Sequence, residues 1–207
     1  SNAKHVVYDS VSESAALEAY ETKYGSRGLP NYDFSLSDLI ISIGADILGD
    51  WQGGGFDSKY GKSRIPTNGK MSRHIHFEAN MSLTGANADN RYPVNQNEQK
   101  LVLLSIYSKL FNLQADINIS DKLVKVVNSV MKELLESNNP VVVSGIQEVE
   151  YQNLVLEINQ RLNSKAFQPE NTILTRQGND SEVSKLIKDM NDGKVGAIIM
   201  AGVNPVY

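Results

Sequence analysis

Two apolar runs that each break at a glycine constrain this chain more than any other feature. One reads Asp38-Leu39-Ile40-Ile41-Ser42-Ile43-Gly44-Ala45-Asp46. The other is Val195-Gly196-Ala197-Ile198-Ile199-Met200-Ala201-Gly202-Val203-Asn204-Pro205. Both are apolar at consecutive rather than alternate positions, as in parallel strands covered by helices on both faces. A glycine where such a strand ends lets the backbone approach a ligand closely. The pair therefore predicts a crevice of nucleotide-binding type at the carboxyl ends of parallel strands.

The rest of the chain reads as strand, helix and strand in turn. Residues His5 to Tyr8 suit a short opening strand. Ser10 or Ser12 caps a helix that runs to about Tyr24, with Gly25 as its stop. Gly28 to Asn31 is read as a loop. Gly49 to Gly69, with Gly53-Gly54-Gly55 at its heart, reads as a long loop, and long loops in small domains are usually functional or mobile. Met71 to Phe77 alternates as a strand does, and Ser82 to Pro93 reads as loop again.

Glu98 to Leu113 is leucine-rich and helical. Ser120 caps a further helix with Leu123, Val126, Val127, Val130 and Leu134 on one stripe. Pro140 to Ser144 is a β-branched strand. Glu148 to Asn163 is a helix, Thr172 to Leu174 a short strand, Ser181 to Asn191 an amphipathic helix, and Val195 to Met200 the last strand. This order predicts an α/β fold of the Rossmann-like, three-layer kind with a mostly parallel sheet.

Ser1-Asn2-Ala3 has the look of an expression-tag scar, which leaves residues 4–207 as one α/β domain. The chain starts without methionine and stops just past a strand, so it is expected to be a piece of a longer protein. A formal net charge of −4 and the lack of any basic run argue against nucleic acid as a partner. No apolar stretch is long enough to span a membrane. There is no cysteine, which excludes disulfides, iron–sulfur ligation and a cysteine nucleophile within these residues.

Five constellations carry potential chemistry. His74, His76 and Glu78 point to one face if Met71 to Phe77 is a strand, and two histidines with a carboxylate are ingredients of an open metal site. Nothing in the sequence completes the shell, so the alternative is a polar strand face. Gly53-Gly54-Gly55 offers backbone N–H groups to an anion but lacks the lysine and hydroxyl of a P-loop. Ser144-Gly145 ends a strand without the pattern of a nucleophile elbow. Glu148 and Glu150 fall at a helix start, where acids complement the dipole. Gly44, Asp46, Gly202 and Asn204 remain as candidate ligand contacts at strand ends.

The turn after Asp38 to Ile43 resembles that of the molybdopterin oxidoreductases, the dimethyl sulfoxide reductase superfamily, where it usually reads G-x-N-P. Gly202-Val203-Asn204-Pro205 keeps that pattern. The resemblance also runs through Phe77-Glu78-Ala79-Asn80, Thr84 and Ala88-Asp89. Further segments resemble one branch: Tyr24-Gly25, Leu29-Pro30, Tyr32-Asp33-Phe34, Gly44-Ala45-Asp46, Gly49-Asp50-Trp51, Gly53-Gly54-Gly55-Phe56-Asp57, Met71-Ser72-Arg73-His74 and the run Met81 to Asp89. That branch is the large iron–sulfur subunit of bacterial alternative complex III, a quinol oxidoreductase.

The resemblance implies a cofactor-less structural domain of a respiratory iron–sulfur subunit, catalytically silent by itself. Clusters of the 4Fe-4S and 3Fe-4S type would lie elsewhere in the parent chain. Partners would be those cluster domains and the other subunits, on the periplasmic face of the inner membrane. Asp46 stands where the family has asparagine, and a carboxylate there would repel a pyrophosphate. The implied pocket, formed by Gly44, Asp46, Glu78, Gly202 and Asn204, would then be vestigial. Two alternatives stay open: a working domain for molybdopterin guanine dinucleotide, and a small nucleotide-binding module.

Overall fold

Strand β2 (Leu39–Ile43) is buried at every residue, as its unbroken apolar run requires. The computed structural model, which describes residues 3–204, places it inside a four-stranded sheet. Its neighbours are β3 (Arg73–Glu78) on one side and β5 (Pro140–Ser144) on the other, with β4 (Asn90–Pro93) beyond β3. All three pairings are parallel. The chain therefore winds outward from β2 through β3 to β4, then crosses back to lay β5 on the opposite side of β2.

Helices cover both faces, which gives three layers. On one face Ile41, Ile43, Ile75, Phe77 and Val142 pack against α4 (Gln96–Leu110) and α5 (Asp121–Glu136). On the other face Ile40, Val141 and Val143 meet an aromatic cluster of Tyr32, Phe34, Trp51, Phe56 and Tyr60. Tyr60 comes from α2 (Asp57–Ser63), and α1 (Ser14–Tyr24) adds Ala19 to this side. Helix α6 (Val149–Arg161) serves both layers, with Val155 and Ile158 in the first cluster and Leu156 in the second. Each fully buried aliphatic or aromatic side chain of this kind contributes about 1.5–3 kcal/mol.

Local chemistry sets the helix ends. Asn95 and Glu98 form a capping box on α4, and Ser120 accepts from the Leu123 N–H at the start of α5. Gly25 closes α1 with φ 77°.

Several expectations need correction. Val195 to Met200 belongs to no strand; it follows α7 (Asp180–Asn191) as an exposed tail, with Ile199 at 95% exposure. At the β5 edge, the side chain of Asn159 in α6 takes the place of a strand partner at Val142. The Asn159 amide accepts from the Val142 N–H at 2.9 Å and donates to its C=O at 2.6 Å. His5 to Tyr8 is likewise not a strand.

Gly28 to Asn31 is not a loop but overlaps β1 (Leu29–Tyr32), which pairs antiparallel with β6 (Phe167–Ile173) in a separate two-stranded sheet. The stretch Gly49 to Gly69 contains a 3-10 turn at Trp51–Gly53 and helix α2. Ser82 to Pro93 contains α3 (Leu83–Asn87) and β4. Ser1 and Asn2 of the supposed tag scar, and Pro205 of the terminal motif, lie outside the described residues.

Candidate functional site at the strand-order switch

Where the strand order reverses, β2 and β5 send their following loops apart. An open α/β sheet characteristically binds ligands at such a point. Gly44 follows β2 with φ 67°, and Gly145 follows β5. The two glycines lie back to back: a side-chain carbon on Gly145 would overlap the carbonyl oxygen of Gly44. Above them is a crevice of about 370 Å³ whose lining includes Asp46, His76, Glu78, Asn80, Gln99 and Gln147.

Asp46 turns one carboxylate oxygen to the start of α3, where it accepts from the Thr84 N–H at 3.0 Å and the Thr84 hydroxyl at 2.6 Å. The Thr84 hydroxyl in turn accepts from the Leu48 N–H at 2.9 Å. Asp46 thus pins the loop after β2 to the loop after β3.

Glu78 ends β3 and is only 4% exposed. Its Oε2 accepts from the Ser82 N–H at 2.9 Å and faces His76 Nε2 at 3.0 Å, while Oε1 accepts from Arg91 Nε. Burial alone would raise its pKa, but the bonds from Ser82 and Arg91 and the nearby His76 outweigh it and hold the carboxyl down at about 2.

Behind Glu78 a chain of buried polar groups runs under the sheet. His76 Nδ1 lies 2.5 Å from Ser42 Oγ, Ser42 Oγ lies 2.7 Å from His74 Nε2, and His74 Nδ1 lies 3.0 Å from the Tyr60 hydroxyl. Burial, helped by the neighbouring His76 and Arg64, pushes the His74 pKa down to about 3. Burial also lowers His76, against the opposing pull of Glu78. Both imidazoles are therefore neutral at pH 7. At the mouth of the crevice Lys100 of α4 pairs with Glu148, just before α6, and lies over the Tyr151 ring.

Of the residues singled out in the sequence, Gly44, Asp46 and Glu78 come together in this crevice. Gly202 and Asn204 do not line it; they sit in the exposed tail after α7. His74, His76 and Glu78 do share one face, but they string out as hydrogen-bonded links rather than converging on a point. No group of residues able to hold a metal ion occurs among the described residues. Gly53, Gly54 and Gly55 all have positive φ, and Gly53 packs against Thr175 rather than opening a cradle. Ser144 is 1% exposed, and its hydroxyl accepts from the Ile146 N–H, so it holds the loop after β5.

Sequence reasoning missed Gly145 as the partner of Gly44, and the amides of Asn80, Gln99 and Gln147. It also missed the Ser42 and Tyr60 links. One signal was present for Ser42: a lone hydroxyl at the centre of an otherwise apolar strand needs a buried partner.

The fold and crevice define a doubly wound α/β domain with a site at its switch point. No family model matches the chain, and no curated protein does. Among solved structures it is similar to a chain of the formyltransferase/hydrolase complex (FhcABCD) from Methylorubrum extorquens, in complex with methylofuran. That similarity has 16% identity and a TM-score of 0.46, over 72% of this chain and 40% of the other.

These findings correct the resemblance to the molybdopterin oxidoreductases and to alternative complex III. No family model and no curated protein matches the chain, so nothing found supports that family. Gly202 and Asn204 of the terminal motif that carried part of the resemblance do not line the crevice. The respiratory partners, cluster domains and periplasmic placement rested on that resemblance and are not carried forward. No helix among the described residues is long and apolar enough to cross a membrane.

Proposed function

We propose that this domain binds a small, uncharged, polar ligand of the nucleoside class in the crevice at the strand-order switch. The observation that carries the reading is the pairing of Gly44 with Gly145 under a polar crevice. The glycines let the two strand ends close on each other and let the Gln99 side chain approach Gly44, which sets the floor of the crevice.

The chemistry of the lining supports a neutral ligand over a phosphorylated one. The carboxylates of Asp46, Glu78 and Glu148 line the crevice, and the one lining cation among the described residues, Lys100, is already paired with Glu148. A phosphate would meet net negative charge in a partly desolvated site. Carboxylates instead suit ribose hydroxyls, and the amides of Asn80, Gln96, Gln99 and Gln147 suit the mixed donor and acceptor edge of a base.

The test is a titration of the chain with adenosine, guanosine and guanosine monophosphate, followed by backbone amide shifts. Nucleosides should move the Gly44, Asn80 and Gly145 signals, and the monophosphate should do so at least tenfold more weakly. Nucleosides that leave these signals unmoved at millimolar concentration would overturn the reading.

A further inference from the structure

Two of the amides that line the crevice are held by their nitrogens. Gln99 of α4 lies against Gly44 at the end of β2, and its Nε2 donates to the Val94 carbonyl at 3.4 Å. Gln147, in the loop after β5, donates from Nε2 to Glu13 Oε2 at 3.1 Å. A carbonyl can only accept, so turning the Gln99 amide round would set oxygen against oxygen at Val94.

The other end of the Gln99 amide agrees with that orientation. Its Oε1 occupies the place where a side chain on residue 44 would begin. One Cα–H bond of the glycine points there, and a Cα–H suits an oxygen and not an amide nitrogen. Gly44 therefore serves Gln99 as well as the turn: any larger residue would displace this amide.

Gln99 is only 7% exposed, yet no donor among the described residues reaches its Oε1. The oxygen is open to the crevice, which Gln99 lines, rather than sealed in the core. The neighbouring carboxylates differ. Glu78 is bonded by His76, Ser82 and Arg91, and Asp46 Oδ1 by the Thr84 N–H and hydroxyl. Those oxygens hold the chain together, whereas Gln99 Oε1 is unspent. Water can satisfy it while the crevice is empty, but a ligand that displaces the water must bring its own donor.

We propose that Gln99 sets the specificity of the crevice by requiring an N–H or O–H donor at its Oε1, which in a nucleoside is the exocyclic amine of the base. The identity of the ligand rests on the nucleoside reading; the requirement for a donor does not.

Two pairs of probes test the two ideas separately. Adenosine and purine riboside share a ring and a ribose, but purine riboside lacks every base N–H. N-methylacetamide and N,N-dimethylacetamide share a carbonyl, but only the first has an N–H. With the intact chain at pH 7, the member with the donor should shift the Gly44 amide and the Gln99 side-chain amide. The member without it should bind about tenfold more weakly, as expected when one nearly buried acceptor is left unpaired. In Gln99→Met, which keeps the length of the side chain, adenosine should fall to the level of purine riboside while purine riboside stays as it was.

Equal or absent shifts from the two amides in the parent chain would overturn the proposal. So would a preference for adenosine that survives in Gln99→Met. Discrimination between the amides with no shift from any nucleoside would defeat the nucleoside reading alone. Nucleoside binding with equal amide shifts would defeat this one alone.

Discussion

The side chain of Asn159 holds Val142 by both its backbone N–H and its C=O, as a neighbouring strand would. Asn159 is fully buried, so no water can replace it. Asn159→Leu leaves a buried donor and a buried acceptor unsatisfied, each costing about 1–3 kcal/mol. A loss of about 2–4 kcal/mol in unfolding free energy is expected by urea denaturation. A loss under 1 kcal/mol would mean that the β5 edge finds other partners.

Acid should weaken the fold in two steps of the same sign. An unfolded histidine takes up a proton near pH 6.5, whereas folded His74 resists until about 3. Between those values the unfolded chain binds more protons, so stability is lost as pH falls, by about 1 kcal/mol per pH unit for each such histidine. Glu78 adds to the loss below its ordinary value of 4.5, down towards about 2. Urea midpoints measured from pH 7.5 to 4.5 should fall steadily. His74→Gln should show a shallower fall; an equal slope would place the titrating group elsewhere.

Gly145→Ala tests the contact between the two strand ends. The new methyl would press on the Gly44 backbone, which cannot swing away as a flexible side chain can. Overpacking of this kind costs about 1–3 kcal/mol. Thermal unfolding should register the loss, and the Gly44 amide signal should shift even in the absence of ligand. Gly61→Ala, where the added carbon meets nothing within 4 Å, serves as the control.

Asp46→Asn separates the charge of this side chain from its shape. An asparagine Oδ1 can still accept from the Thr84 N–H and hydroxyl, so α3 should stay in place. Removal of one negative charge from the crevice should then raise the affinity for guanosine monophosphate several-fold and leave guanosine nearly unchanged. An equal effect on both ligands would show that Asp46 acts through the loop and not through its field.

The sheet was legible wherever burial was complete. Leu39–Ile43 and Pro140–Ser144 are apolar on both faces because both are covered, and their composition says so. Strand β4, Asn90-Arg91-Tyr92-Pro93, is a partly exposed edge whose polar residues carry no strand signal. Helix α2 is only seven residues long with a glycine inside, so no periodicity develops. The Val195 to Met200 run misled for the opposite reason: its composition suits a covered strand, but composition does not show whether a run finds a strand to pair with, and this one stays exposed after α7. In the site, Gly44, Asp46 and Glu78 were readable because they end strands. Gln99, Gln147 and Gly145 were not, because only the long-range pairing of β2 with β5 brings them to the same place.

That pairing also sets when the site comes into being. Gly44 and Gly145 are far apart in sequence, and the connection that brings them together contains β3, β4, α4 and α5. Contacts of such long range carry the largest loop-closure cost and dominate slow folding. The crevice needs Gly145 to Glu148, which follow β5, so a nascent chain that has made β2, β3 and β4 but not β5 lacks one wall of the pocket. Ligand can bind only the finished molecule, so it would slow unfolding without hastening the steps that build the first three strands.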